Sequence, residues 1–228
     1  MQGRKIQELE NIIGYSFNDK TLITRALTHS SYANEQKINK TGDYERLEFL
    51  GDAVLELVSS DFFYNEYPDM PEGQLTKIRS SYVCEPALAY CARDFELDTF
   101  IKLGKGEERT GGRNRDSIVS DVCEAVIGAL YLDGGMDVAH QFIHKYILTD
   151  LENKKLFLDS KSLLQELVQS MNHTALEYRL VKEEGPDHDK LFVVEVYVGG
   201  VLAGVGEGKT KKSAEQQAAY QAVKKLKA

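Results

Sequence analysis

The chain has 228 residues, 42% of them hydrophobic, with four prolines and no low-complexity tract, so it is long enough for one large domain or two smaller ones. Its net charge of −8 argues against nucleic acid as a partner of the whole surface. The charged stretch Met1–Glu10 has no apolar core for a signal peptide, and no run approaches the roughly 18 apolar residues of a membrane span, so a cytoplasmic protein is expected.

Up to about residue 150 the apolar spacing is helical. Ile6, Leu9, Ile12 and Ile13 open the pattern, followed by Leu22, Ile23, Ala26 and Leu27. The stretch from Glu45 to Phe63 continues it but carries acids: Glu45, Glu48 and Asp52. On a helical wheel Glu45 and Asp52 lie within about 60° of Glu48, and Leu50, Ala53, Val54 and Leu57 fall on the opposite side, the expected buried face. Tyr67–Gly73, with two prolines, reads as a turn, and Leu75, Ile78 and Val83 as another helix. Gly104 to Asp116, containing Gly111-Gly112-Arg113, lacks the spacing of a nucleotide-binding loop and is expected to be a flexible, solvated connection.

A helix from about Ser117 to Leu132 is apolar nearly all round, yet holds Asp121 and Glu124 on one face at i, i+3. Gly128, one turn on, would let another helix approach closely. Ionised carboxylates in such surroundings are costly unless something positive neutralises them. Few lysines or arginines are nearby, and oxygen ligands without His or Cys suit a hard cation, Mg²⁺ or Mn²⁺. Taken singly, each of these acids also fits the solvated margin of an amphipathic helix. Cys84, Cys91 and Cys123 have no ligand spacing and read as buried, reduced thiols that act as small hydrophobes. His140 and His144 are i, i+4 but lack the glutamate that a zinc protease needs beside its first histidine.

After residue 155 the pattern changes. Ser160 or a residue near it can cap a helix carrying Leu163, Leu164, Leu167 and Val168. Alternation follows over Ala175–Leu180 and Phe192–Val198, then Gly199-Gly200 as a hairpin turn, a third strand over Leu202–Gly208 and a helix from about Lys211 to Leu226. The order is α-β-β-β-α, with helices able to cover one face of an antiparallel sheet. Charge divides along the same line. Residues 1–155 hold 18 basic against 26 acidic residues, residues 156–228 ten of each, and six lysines crowd 209–228 with Glu215 as the lone acid. One part suits cations and the other a polyanion.

This second part resembles a double-stranded RNA-binding domain over residues 160–228, most specifically in Gly206-Glu-Gly-Lys-Thr-Lys-Lys-Ser-Ala-Glu-Gln-Gln-Ala-Ala219. Glu215 departs from it, since many members carry lysine there. The resemblance implies three contact regions: Gln165, Glu166 and Gln169 on the first helix, Pro186 and His188 in the loop Gly185–His188, and Lys209, Lys211 and Lys212 facing phosphates across the major groove. Residues 1–152 resemble the ribonuclease III nuclease domain, with 153–159 expected as a linker. The signature Glu45-Arg-Leu-Glu-Phe-Leu-Gly-Asp52 is the most specific match, supported in order by Ala26-Leu-Thr-His-Ser-Ser31, Leu103-Gly-Lys-Gly106 and Asp121-Val-Cys-Glu-Ala-Val-Ile-Gly-Ala-Leu130.

The fold so implied is an all-α nuclease domain followed by an α+β RNA-binding domain. The activity implied is Mg²⁺-dependent hydrolysis of double-stranded RNA, with Mn²⁺ able to substitute. Products would carry 5′-phosphate and 3′-hydroxyl ends with short 3′ overhangs, from ribosomal RNA precursors and other structured transcripts. Glu48, Asp121 and Glu124 are the expected metal ligands. Asp52 and Glu124 take the catalytic roles, Asp52 completing the shell or orienting the attacking water. Glu45 and Glu72 are secondary acidic positions, and Phe49 is expected at the two-fold interface of a homodimer. Two rivals stay open: an RNA-binding regulator without catalysis, and a metal phosphohydrolase acting on small esters.

Overall fold

In the computed structural model, residues 5–37, 42–171, 175–185, 190–208 and 210–227 are described. The chain divides into two units, Met1–Thr149 and Asp150–Ala228.

The first unit is helical: α1 (Ile6–Ile13), α2 (Lys20–Ala26), α3 (Ser30–Glu35), α4 (Glu45–Glu66), α5 (Glu72–Val83), α6 (Glu85–Asp94), α7 (Lys105–Arg109) and α8 (Asp116–Tyr146). Its centre is the crossing of α4 and α8. From α8, Val122, Cys123, Ala125, Val126, Ile127, Ala129 and Leu130 are buried. This helix packs most extensively on α4, whose buried residues are Leu47, Gly51, Val54, Leu55, Val58, Ser59 and Phe63, and also on α6 and α2. Two glycines set the closeness of the crossing. A Cβ on Gly51 would fall 1.7 Å from the carbonyl oxygen of Glu124, and one on Gly128 would fall 2.2 Å from that of Leu47. Any larger residue would force the helices apart, and with them the acids they carry. The acid-bearing stretch of α8 ends at a kink at Gly135, whose φ of 79° and ψ of −174° are not helical. Just before it, Asp133 accepts from the Tyr15 hydroxyl and from the backbone N–H groups of Asn18 and Asp19, each at 2.8 Å, which ties α8 to the entry of α2.

Three expectations are corrected here. Cys84, expected to be buried, is exposed, while Cys91 and Cys123 are buried. Of the face expected to be buried on α4, only Val54 is: Leu50 is half-buried, and Ala53 and Leu57 are exposed. The seam that meets α8 is rotated towards Leu47, Gly51 and Leu55, because the glycine crossing decides which side faces the neighbour. Residues 104–116 are not a loose loop either. They fold into α7 and a 3₁₀ turn (Gly112–Asn114) fastened by ion pairs Arg113–Glu108 at 2.6 Å, Arg115–Glu107 at 2.6 Å and Arg93–Asp116 at 2.7 Å.

The second unit contains α9 (Leu151–Leu158), α10 (Ser160–Ser170), β1 (Leu176–Glu184), β2 (Leu191–Val198), β3 (Val201–Gly208) and α11 (Lys211–Lys227). The strands form an antiparallel sheet in the order β1-β2-β3. Gly199 and Gly200 make the β2–β3 turn with φ of 59° and 79°, values that glycine adopts without strain. Leu164 and Val168 of α10, Val194 and Val196 of β2, and Ala214, Ala218, Ala222 and Val223 of α11 close the core. Helices cover one sheet face, as the α-β-β-β-α pattern implied. The segment 153–159 differs from expectation. Most of it lies in α9, which docks on α11 within the second unit. The Phe157 ring meets Tyr220 edge-on at 5.6 Å, the Gln216 amide donates to the Phe157 carbonyl, and Leu156 packs on the core. Burying those two apolar side chains makes a helix of what reads as spacer.

Candidate functional site

The α4–α8 crossing brings three acids to one point. Glu48 sits in the first turn of α4, and Asp121 and Glu124 sit on the face of α8 turned towards it. Each offers a carboxylate oxygen, and these oxygens all lie within 4.8 Å of one another. All three residues are half-buried, and among the described residues none forms an ion pair with lysine or arginine.

The cost of that arrangement appears in the proton affinities. Burial, then the charges of Asp121, Glu45 and Asp52, push Glu48 up to about 7. Burial, then Asp52, Asp121 and Glu48, push Glu124 up to about 8. Asp121 is also raised by burial, an effect opposed by a hydrogen bond from Tyr44 and by nearby His29. Acids made this basic by desolvation and mutual repulsion have a strong reason to take up a cation. Three hard oxygen donors with no competing cation fit a divalent metal ion.

Other expected residues are placed differently. Asp52 is exposed, one turn along α4, and is outside the convergent trio, although its charge acts on both Glu48 and Glu124. Glu45 is exposed and acts on Glu48. Glu72 is not brought to the cluster. It starts α5, accepts from the Thr76 hydroxyl at 3.0 Å and lines a cleft of about 340 Å³ with Leu57, Tyr64 and Arg79. Phe49 is 81% exposed, and with Leu57 and Tyr64 it forms an apolar stripe on the outer side of α4.

In the second unit, Gln165, Glu166 and Gln169 are exposed on the side of α10 opposite the buried Leu164 and Val168. Lys211 and Lys212 are exposed in the first turn of α11, where Thr210 accepts from the Ser213 N–H at 3.1 Å. Glu215 is not a bare acid on this surface, because Lys161 pairs with it at 2.7 Å. Pro186, His188 and Lys209 lie outside the described residues.

Two residues near the acids escaped the sequence reading. The Tyr44 hydroxyl donates to Asp121 at 3.2 Å, and the His29 ring lies 5.6 Å from the Tyr44 ring. The available signal was position alone: Tyr44 adjoins the acidic signature, and His29 lies within Ala26–Ser31.

Comparison with known proteins supplies the lineage. The family model described as ribonuclease-III-like matches residues 19–151, more than half of the chain. The chain belongs to the ribonuclease III family. The double-stranded RNA binding motif matches residues 160–226. A protein named Ribonuclease 3 from Caldanaerobacter subterraneus subsp. tengcongensis is 50% identical over 221 residues, covering 96% of each chain. Ribonuclease 3 of Enterococcus faecalis is 47% identical over 228 residues, covering 99% of each. Among solved structures, the nuclease domain of ribonuclease III from Campylobacter jejuni is 39% identical, with a TM-score of 0.59 over 63% of this chain and 96% of that one. As a ribonuclease III with its own RNA-binding domain, the chain is a metal-dependent endoribonuclease specific for double-stranded RNA.

Proposed function

We propose that this ribonuclease III hydrolyses both strands of an RNA duplex with Mg²⁺, held by Glu48, Asp121 and Glu124. The observation that carries the assignment is the convergence of carboxylate oxygens from those three half-buried residues within 4.8 Å, with no lysine or arginine paired to them among the described residues. Mg²⁺ there would supply a lowered pKa for bound water and neutralise charge on the phosphoryl oxygens, and Mn²⁺ should do the same. Glu124, whose proton affinity is raised to about 8, would have to give up its proton to hold the cation. Asp52, at the solvent edge, orients the attacking water, and Glu45 adds negative potential from the preceding turn. Glu72 stays a secondary acidic position. Hydrolysis in this sense leaves 5′-phosphate and 3′-hydroxyl ends, and one cut per strand leaves short 3′ overhangs.

Catalysis belongs to the first unit and duplex binding to the second, through the exposed side of α10, Pro186 and His188, and Lys209, Lys211 and Lys212. The exposed stripe of Phe49, Leu57 and Tyr64 supports a homodimer, because an isolated subunit would leave large apolar side chains in water. Dimer formation is also named for the nuclease domain of the Campylobacter jejuni enzyme. Ribosomal RNA precursors and other structured transcripts are the proposed substrates. The cytoplasm is the proposed location, which suits three free cysteines.

Incubating purified protein with a long RNA duplex, in Mg²⁺ or in EDTA, tests the reading. Cutting should occur with Mg²⁺ and stop with EDTA. Duplex binding without cleavage in both Mg²⁺ and Mn²⁺ would favour the RNA-binding regulator instead.

A further inference from the structure

Tyr44 lies at the junction of the two helices that carry the acids. It is the N-cap residue of α4 and is 5% exposed. Both its backbone and its side chain are held. Its backbone N–H donates to the Thr28 carbonyl at 3.0 Å, and its carbonyl accepts from the N–H groups of Leu47 at 2.8 Å and Glu48 at 2.9 Å. Its ring rests beside His29, whose Nδ1 accepts from the Ser31 N–H at 3.1 Å and lies 2.7 Å from the Ser31 hydroxyl. Its hydroxyl then reaches across to α8 and donates to Oδ2 of Asp121.

We infer that Tyr44 is a positioning residue for the metal-binding acids, orienting Asp121 through its hydroxyl while its carbonyl anchors the turn that presents Glu48. The inference rests on the reading that Glu48, Asp121 and Glu124 hold the cation. The chemistry of the group supports it. A carboxylate has about four lone-pair sites, so one donor on one oxygen fixes its rotation and leaves sites free for a cation. A phenol does this without positive charge. Lysine or arginine in the same place would neutralise the acids and compete with the ion. Outer partners that orient metal-binding side chains typically change metal affinity about 10–100-fold when removed. At 3.2 Å the Tyr44 bond is long for a hydroxyl-to-carboxylate contact, which puts the expectation at the low end of that range.

Tyr44→Phe keeps the ring against His29 and every backbone contact, and removes only the hydroxyl. The test is Mn²⁺ uptake by the RNA-free protein, followed by the resonance of free Mn²⁺, in wild type, Tyr44→Phe and Glu124→Gln. Affinity at the site lost in Glu124→Gln should fall about tenfold in Tyr44→Phe, with a melting temperature near that of wild type. Cleavage at limiting Mg²⁺ should fall in step and recover in excess Mn²⁺, with KM for the duplex unchanged. A folded Tyr44→Phe protein that binds Mn²⁺ as wild type does would overturn the inference, even if its activity were lower. If wild type itself binds no Mn²⁺ that Glu124→Gln loses, the cation assignment fails first, and this inference with it.

Discussion

Glu124 and Lys212 each stand on a helix and carry one ionisable group, yet they are treated in opposite ways. Glu124 is half-buried at the crossing of α4 and α8, surrounded by other acids, and its proton affinity is raised to about 8. Lys212 stands in solvent in the first turn of α11, with the N-terminal amides of that helix behind it. The first arrangement stores electrostatic cost that a cation relieves. The second keeps its charge hydrated and available to a polyanion, whose binding is driven largely by counterion release. Chemistry and affinity should therefore respond to different substitutions and different salts.

The largest effect should come from Glu124→Gln. The amide keeps the size and removes the charge that holds the ion, so cleavage should fall by at least about 10²-fold. Duplex affinity, measured by gel shift, should change less than threefold. Comparable losses in both would erase the contrast between the units. Cutting the chain after Thr149 removes α9 together with the unit on which it docks. The remaining nuclease unit should cleave duplex RNA at low salt but fail near physiological ionic strength, where the full chain works. A folded, dimeric fragment that is inactive at every salt concentration would show that the second unit shapes the catalytic centre.

Smaller effects sharpen the same contrast. In Lys211→Ala/Lys212→Ala, the slope of log affinity against log salt should shrink by roughly 1.4–1.8, at about 0.7–0.9 per phosphate contact, while kcat at saturating RNA holds. An unchanged slope would remove these lysines from the phosphate contacts. The smallest effect concerns metal-free stability. Glu48 and Glu124 are raised to about 7 and about 8 from 4.5, so the folded state binds protons more tightly than the unfolded one. Their contribution is fully present below the unfolded pKa and is lost as pH rises towards 8. Glu124→Gln without metal should thus be more stable than wild type at pH 8, by about 1 kcal/mol after allowance for solvent screening, with the gap closing by pH 5. A chemical-denaturation series across that range checks it.

What could be read from the chain alone followed local periodicity. Glu48, Asp121 and Glu124 stood out because acids interrupt apolar helical runs, and Gly128 announced a close crossing that Gly51 completes. Gly199-Gly200 and the strands around it were equally plain. The misreadings share a cause, since local periodicity does not show which groups a segment will meet. Leu57 repeats with core spacing, but periodicity does not separate a core face from a face left for another subunit. The helix α9 needs Gln216 and Tyr220, about sixty residues on, to bury Phe157. Residues 104–116 are fastened by Arg93 and by paired charges that composition alone reads as solvated. Tyr44 owes its interest to a carboxylate 77 positions away.

The proposition that burial and repulsion prime these acids for a cation is tested most directly by counting protons. If Glu48 and Glu124 titrate near 7 and 8, part of the cluster is protonated at pH 7, and a bound ion must expel what it displaces. Calorimetric titration of RNA-free protein with Mn²⁺, in buffers of different ionisation enthalpy, should find roughly one proton released per site at pH 7. The number should decline as pH rises through about 8 and should fall in Glu124→Gln. Tight Mn²⁺ binding at pH 7 with no proton released would contradict the proposition, since the acids would then have been fully ionised before the ion arrived.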